Sequence, residues 1–153
     1  MRDIEHKRWL LKERPSLETQ LQRWLDEAVT LERSTREYIS GIQLEENGIR
    51  VVLRQYTNRY PHDCLAICAV DLPQSLQHRG WFKSFLVLCC QLNPWQDVII
   101  EDVKNPHLRR FCQRNGFTVL HDFYPDTFKV NQQKVLSMSV TPLTAFRAAG
   151  WHE

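Results

Sequence analysis

The sequence predicts an α/β fold, a sheet with helices packed on it. Three observations point there. An Asn-Gly pair separates two apolar stretches, as in a hairpin. Cys64 to Val70 and Val98 to Val103 are short runs apolar enough for strands buried on both faces. Between and after those runs lie two segments of helical character, Trp81 to Leu92 and the stretch beginning at Asn105. Parallel neighbours need crossovers, so strand–helix–strand–helix–strand in the centre requires this layering.

The elements follow in order. A short helix carrying Trp9, Leu10 and Leu11 precedes Pro15. Ser16 then caps a longer helix, with Glu18 near its positive end and Leu17, Leu21, Trp24, Leu25, Ala28 and Leu31 at helical spacing. It fades around Arg36, and Gly41 marks the exit. Ile42 to Leu44 and Ile49 to Tyr56 flank Glu45-Glu46-Asn47-Gly48, whose Asn-Gly supplies the positive φ angles of a type I′ turn. After Tyr60-Pro61 comes the Cys64 to Val70 strand, then the helix from Trp81, stopped by Asn93-Pro94. The Val98 to Val103 strand leads to a helix capped by Asn105, with Pro106 in its first turn and Gly116 at its end. Phe117 to Phe123 and Lys134 to Val140 complete the set as strands.

A chain of 153 residues leaves little room for a second domain, so one domain over residues 1–153 is expected, helical to about residue 40. Twenty Lys+Arg against 18 Asp+Glu give a net charge of +2, too small to indicate nucleic acid or a membrane surface. No apolar run is long enough to span a bilayer, and the first residues lack the apolar core of a secretory signal, so a cytoplasmic protein is expected. The five cysteines form no CxxC pair and the six histidines no i, i+4 pair, so neither disulfides nor a metal site is expected.

Chemistry concentrates where the first buried strand meets the buried helix, Asp71 to Lys83. A helix start leaves backbone N–H groups unpaired near the positive end of its dipole. Gly80 allows close approach, and Arg79 and Lys83 add charge, which suits a phosphate or pyrophosphate; a solvated loop is the alternative. Asp71, Glu101 and Asp102, at or inside apolar strands, are candidate general bases, because desolvation favours a proton on a carboxylate. Strand alternation could instead turn them to the surface or pair them with Arg.

Gln77-His78-Arg79-Gly80-Trp81-Phe82 resembles the Gln/Arg-x-x-Gly-x-Gly/Ala loop of the GNAT superfamily of acyl-coenzyme A N-acyltransferases. Asn105 to Phe117 resembles that family's second signature, an Asn, a helix and a closing Gly-Phe. The resemblance covers about residues 64–123 and implies a mixed, largely antiparallel sheet with helices on both faces and two splayed central parallel strands. It implies acetyl-coenzyme A as cofactor, with its arm between the Cys64 and Val98 strands. The pyrophosphate would lie on the loop of Gln77, His78, Arg79, Gly80, Trp81, Phe82 and Lys83, with Asn105 at the arm's side and the acyl carbonyl beside Val70. The partner would be an amine of a small molecule or protein, attacking directly.

Three departures stand out. Phe82 replaces a small residue, the chain from Val70 to Gln77 is about two residues longer than usual, and Cys112 occupies the position of the family's acid tyrosine. A thiol, with a reference pKa of about 8.5, could protonate the leaving thiolate; Tyr124 or water could do so instead. Leu108, Phe111 and Cys112 also share a helix face, so core packing alone accounts for Cys112. Arg109, Arg110 and Arg114 form a cationic rim, for solvent or for a phosphate. Two rival readings remain open: a non-catalytic module binding coenzyme A or a protein, and a nucleic-acid-directed protein using Arg33, Arg36, Arg50, Arg54 and Arg59, which the near-neutral charge disfavours. Ala145 to Glu153 could cover an acceptor groove or form a homodimer.

Overall fold

The structure, a computed structural model, describes residues 2–32, 39–56 and 62–148. The elements are α1 (Arg2–Glu13), α2 (Leu17–Glu32), β1 (Ile39–Glu46), β2 (Ile49–Tyr56), β3 (Cys64–Asp71), a 3-10 turn (Gln74–Leu76), α3 (Trp81–Leu92), β4 (Asp97–Ile100), α4 (Pro106–Arg114), β5 (Thr118–His121), β6 (Tyr124–Lys129), α5 (Gln132–Leu136) and α6 (Leu143–Ala148). One sheet runs in the order β1-β2-β3-β4-β6-β5. Among the described strands only β3 and β4 pair in parallel. This is the mixed, largely antiparallel arrangement that the resemblance implied.

Local chemistry sets most boundaries. Ser16 Oγ accepts the Thr19 N–H at 3.2 Å and caps α2. Asn47 and Gly48 take φ of 47° and 85°, turning β1 into β2 with Glu46 opposite Ile49. Asn105 Oδ1 accepts from His107 and Leu108, and Pro106 occupies the first turn of α4. At its other end Gly116 (φ 73°) donates to Gln113 and Phe117 to Cys112, the paired bonds of a Schellman ending.

Strand alternation places Val51, Leu53, Leu65, Ile67, Val98 and Ile100 in one core, with Leu17, Leu21 and Trp24 of α2 and Trp81 and Phe85 of α3. Buried residues of α4, α5 and α6 (Cys112, Val135, Leu143) join the same core. Residues of opposite parity, Cys64, Ala66 and Ile99, cluster separately with Tyr56. Each large apolar side chain buried this way contributes about 1.5–3 kcal/mol.

Several expectations are corrected. Lys134 to Val140 is not a strand, because Asn131 accepts the Lys134 N–H and starts α5 instead. The run Phe117 to Phe123 contains only β5, and the strand that pairs with β4 is Tyr124–Lys129. Pro125 disguises that strand in the sequence, yet it lies beyond the two positions paired to β4 and so removes no bond there. Gly41 lies inside β1 opposite Arg54, not at a helix exit, and Arg54 Cγ would be 3.4 Å from a Cβ there. Residues 33–36, the expected end of α2, lie outside the described residues. The helix α6 had no expected counterpart.

That helix carries a clamp. The Arg147 guanidinium donates to Glu18 of α2 and to Glu46 of β1, while Glu46 Oε1 also accepts the Leu17 N–H at 2.8 Å. Beside it the buried Gln20 donates to the carbonyls of Pro15 and Glu45 and accepts the Glu45 N–H. Burial opposes ionisation of Glu18, but the hydrogen bond to Arg147, a main-chain hydrogen bond and the Arg147 charge together outweigh it and hold its pKa below the ordinary carboxylate value. Arg147→Ala leaves two carboxylates partly buried and is expected to cost about 2 kcal/mol in denaturant unfolding. A depressed folded-state pKa means stability present above the unfolded value of about 4.3 and lost as pH falls through the folded one. In Arg147→Ala that acid-side loss from Glu18 should be smaller than in the parent.

Candidate functional site

β3 and β4 pair only from Cys64 opposite Asp97 to Ile67 opposite Ile100. The last rung is the Glu101 N–H to the Ile67 carbonyl at 2.9 Å. Asp102 then takes a left-handed φ of 56°, and the Val103 N–H bonds the Asp126 carbonyl at 2.7 Å, so the chain leaves β3 for β6. On the other side Val52 faces Ala69 while Leu53 faces Ile67, which makes Cys68 the extra residue of a bulge. A kink on one strand and a bulge on the other part the two.

The gap opens into a cleft of about 790 Å³. Cys68, Ala69 and Val70 form one wall, Glu101 to Lys104 the other; the α3 start and α4 close the ends. His78 and Gly80 adopt φ of 61° and 83°, so two left-handed residues precede α3. Gly80 is there for this conformation rather than for space, since nothing lies within 4 Å of the Cβ it lacks. The first helical bond is Ser84 N–H to the Gly80 carbonyl. The main-chain N–H groups of residues 78–83 therefore have no protein acceptor among the described residues. Such a crown suits a phosphate group.

Of the residues singled out in sequence, Val70, Gln77, His78, Gly80, Trp81, Phe82, Lys83, Glu101, Asp102, Asn105 and Arg114 line this cleft. Arg79 is exposed beside it. Phe82, the bulky departure, packs edge-on to Phe111 at 6.4 Å, and so joins α3 to α4. Trp81 stacks on Phe85, its indole N–H buried without a partner among the described residues. Asp71 lies outside the cleft, exposed, with Oδ2 2.9 Å from Arg50 Nε. Cys112 is wholly buried in the main core and does not line the cleft. Burial pushes its thiol up to about 11, partly offset by the Arg109 charge. Arg109 is no rim residue: it donates to the Val103 carbonyl and to Asp126, fastening α4 to the second wall.

Glu101 sits at the point of parting. Its Oε1 accepts the Tyr56 hydroxyl at 2.7 Å and the Cys68 thiol at 3.1 Å. Burial first, then the hydrogen bond to Glu101, pushes the Cys68 thiol up to about 12. Burial and Glu101 likewise raise the Tyr56 phenol well above its ordinary value. Sequence reading missed Tyr56 and Cys68, which are 45 and 33 residues from Glu101 and meet it only through the register of β2, β3 and β4. Among the described residues no three His, Cys, Asp or Glu gather as a metal site, and no helix is long and apolar enough to cross a membrane.

The fold is a mixed α/β one around a single six-stranded sheet. A parallel pair parted in mid-sheet, with α3 beginning beside the gap, is the arrangement that the two motifs implied. No family model and no curated protein matches the chain. Among solved structures it is similar to a mutant AtaT toxin bound to the C-terminus of the antitoxin AtaR, at 13% identity and a TM-score of 0.46 over 59% of this chain. It spans 64% of that toxin chain. It is also similar to the KacTA–DNA complex, at 14% identity and a TM-score of 0.47 over 76% of this chain and 82% of that one. A third is AtaTR bound with AcCoA, at 12% identity and a TM-score of 0.40 over 57% and 70%.

All five cysteines are free. Cys64, Cys89, Cys90 and Cys112 are buried, and Cys68 alone is half-buried at the cleft. Alkylation of the native protein followed by peptide mass analysis should label Cys68 first, slowly at neutral pH because of its raised pKa, and Cys112 only on unfolding.

Proposed function

We propose that the protein is an acyl-coenzyme A-dependent N-acyltransferase that moves an acetyl group to an amine of a small molecule or protein. One observation carries this reading: the cleft between the parted strands runs from a crown of unpaired N–H donors at α3 to the Glu101 carboxylate. The cofactor, when bound, supplies an activated thioester. The N–H groups of residues 78–83, with Arg79 and Lys83, would hold its diphosphate. Asn105 keeps its side-chain oxygen for capping α4 and has its amide NH₂ for the arm. Among the described residues β3 has no strand partner on its β4 side beyond Ile67, so its main chain near Val70 is open to the acyl carbonyl and the charge that develops on it.

Glu101 is the base in this reading. It takes a proton from the amine as nitrogen bonds to the carbonyl carbon and the carbon–sulfur bond breaks. Asp71 is already paired with Arg50 outside the cleft, and Cys112 is sealed in the core, so the departing thiolate takes its proton from solvent. Most of the rate gain comes from holding thioester and amine together.

The enclosure of Cys112 favours one rival, a coenzyme A-binding module without turnover. Amine-stimulated release of free thiol separates the two. Saturating acetyl-coenzyme A, at 100 times its dissociation constant, should stabilise the folded protein by about 2.7 kcal/mol in thermal unfolding. The double variant Arg79→Glu/Gly80→Asp should lose that stabilisation; one that keeps it rules out the α3 crown as the diphosphate site. Glu101→Gln should bind acetyl-coenzyme A as the parent does while kcat falls about 10²- to 10⁴-fold. Undiminished turnover in that variant would remove Glu101 as the base.

A further inference from the structure

We infer that Tyr56 and Cys68 are positioning residues for Glu101, fastening one carboxylate oxygen so that the other is presented to the amine. The inference rests on the acyltransfer reading and goes beyond it to a polar relay that starts on β2. Both donors converge on Oε1, and Oε2 has no protein partner among the described residues. Glu101 is half-buried and lines the cleft, whereas Tyr56 is only 3% exposed and does not line it. Tyr56 therefore acts through Glu101 rather than on a ligand.

The direction of the relay follows from donor chemistry. Arg54, exposed on β2, carries its positive charge near the Tyr56 phenol. An ionised carboxylate can only accept, so the single proton of the phenol goes to Glu101. A charge-assisted O–H···O⁻ bond is stronger than a neutral one and fixes the carboxylate plane. The Cys68 thiol is brought to the same oxygen by the bulge that parts β3 from β4. One backbone irregularity thus opens the cleft and loads the base. Both donors stay protonated near neutral pH, since the phenol and the thiol are each pushed upward.

The charged and titratable groups facing Glu101 are Arg54 and Tyr56 on β2 and Cys64 and Cys68 on β3. Tyr56→Phe should lower kcat roughly tenfold and leave the KM for acetyl-coenzyme A unchanged. Cys68→Ala should do the same to a smaller extent, and Cys68→Ser, which restores a donor, should recover the parent kcat. Parental kcat in both Tyr56→Phe and Cys68→Ala overturns the inference.

A second measurement needs no turnover. In Glu101→Gln the charge that helps to raise the Cys68 thiol is gone, so iodoacetamide should alkylate Cys68 at pH 8 several times faster than in the parent. An unchanged rate overturns the inference even where the variants fold poorly. Acetyl-coenzyme A titrated calorimetrically into the parent decides the acyltransfer reading separately. Absence of heat there, with Cys68 responding to Glu101→Gln, sinks the reading and with it the positioning role, and leaves the contact alone standing.

Discussion

Everything at the site depends on a ladder that stops short. Two parallel strands that pair for four residues and then diverge leave main-chain donors and acceptors facing a gap rather than each other. A sheet bears that loss only when backbone geometry enforces it. Here Cys68 adds a residue to one strand, and the left-handed Asp102 turns the other toward β6. Asp102 is one of four non-glycine residues with positive φ among the described residues, and His78, on the loop facing it, is another. Such conformations cost of order 1 kcal/mol or more and persist where the surroundings over-determine them.

The surroundings do so on both walls. Arg109 binds the Val103 carbonyl and Asp126 together, and Lys104 reaches Asp126 as well, so the chain beyond β4 is tied to α4 and β6. At the other end Phe82, Phe111 and Phe117 pack edge-on in succession, fixing the α3 start against α4. The cleft is held open by these ties along its second wall and at the α3 end. The Arg147 clamp and Gln20 play the same part further away, binding α2 to the hairpin that supplies Tyr56.

The sequence is most legible where a residue acts on its near neighbours. Ser16, Asn105 and Gly116 reach backbone groups a few positions away, and Asn47-Gly48 sets its own turn, so each boundary follows from local chemistry. The loop before α3 is legible for the same reason, since unpaired N–H groups belong to any helix start. Where two local signals competed, the reading failed. Lys134 to Val140 alternates like a strand, but the Asn131 cap wins because it satisfies a helix start that strand pairing would leave empty.

What the chain determines by itself is therefore the set of caps, turns and buried runs, together with a helix start suited to an anion. The tertiary structure alone decided that Asp71 lies outside the cleft and Glu101 within it. Asp71 and Glu101 both sit at strand ends, yet register pairs Asp71 with Arg50 in solvent and gathers Tyr56 and Cys68 around Glu101. It also decided that Cys112 faces the core. Hydrogen bonds between residues tens of positions apart depend on strand register and on a bulge, and these are settled by how whole faces pack rather than by any residue's own neighbours.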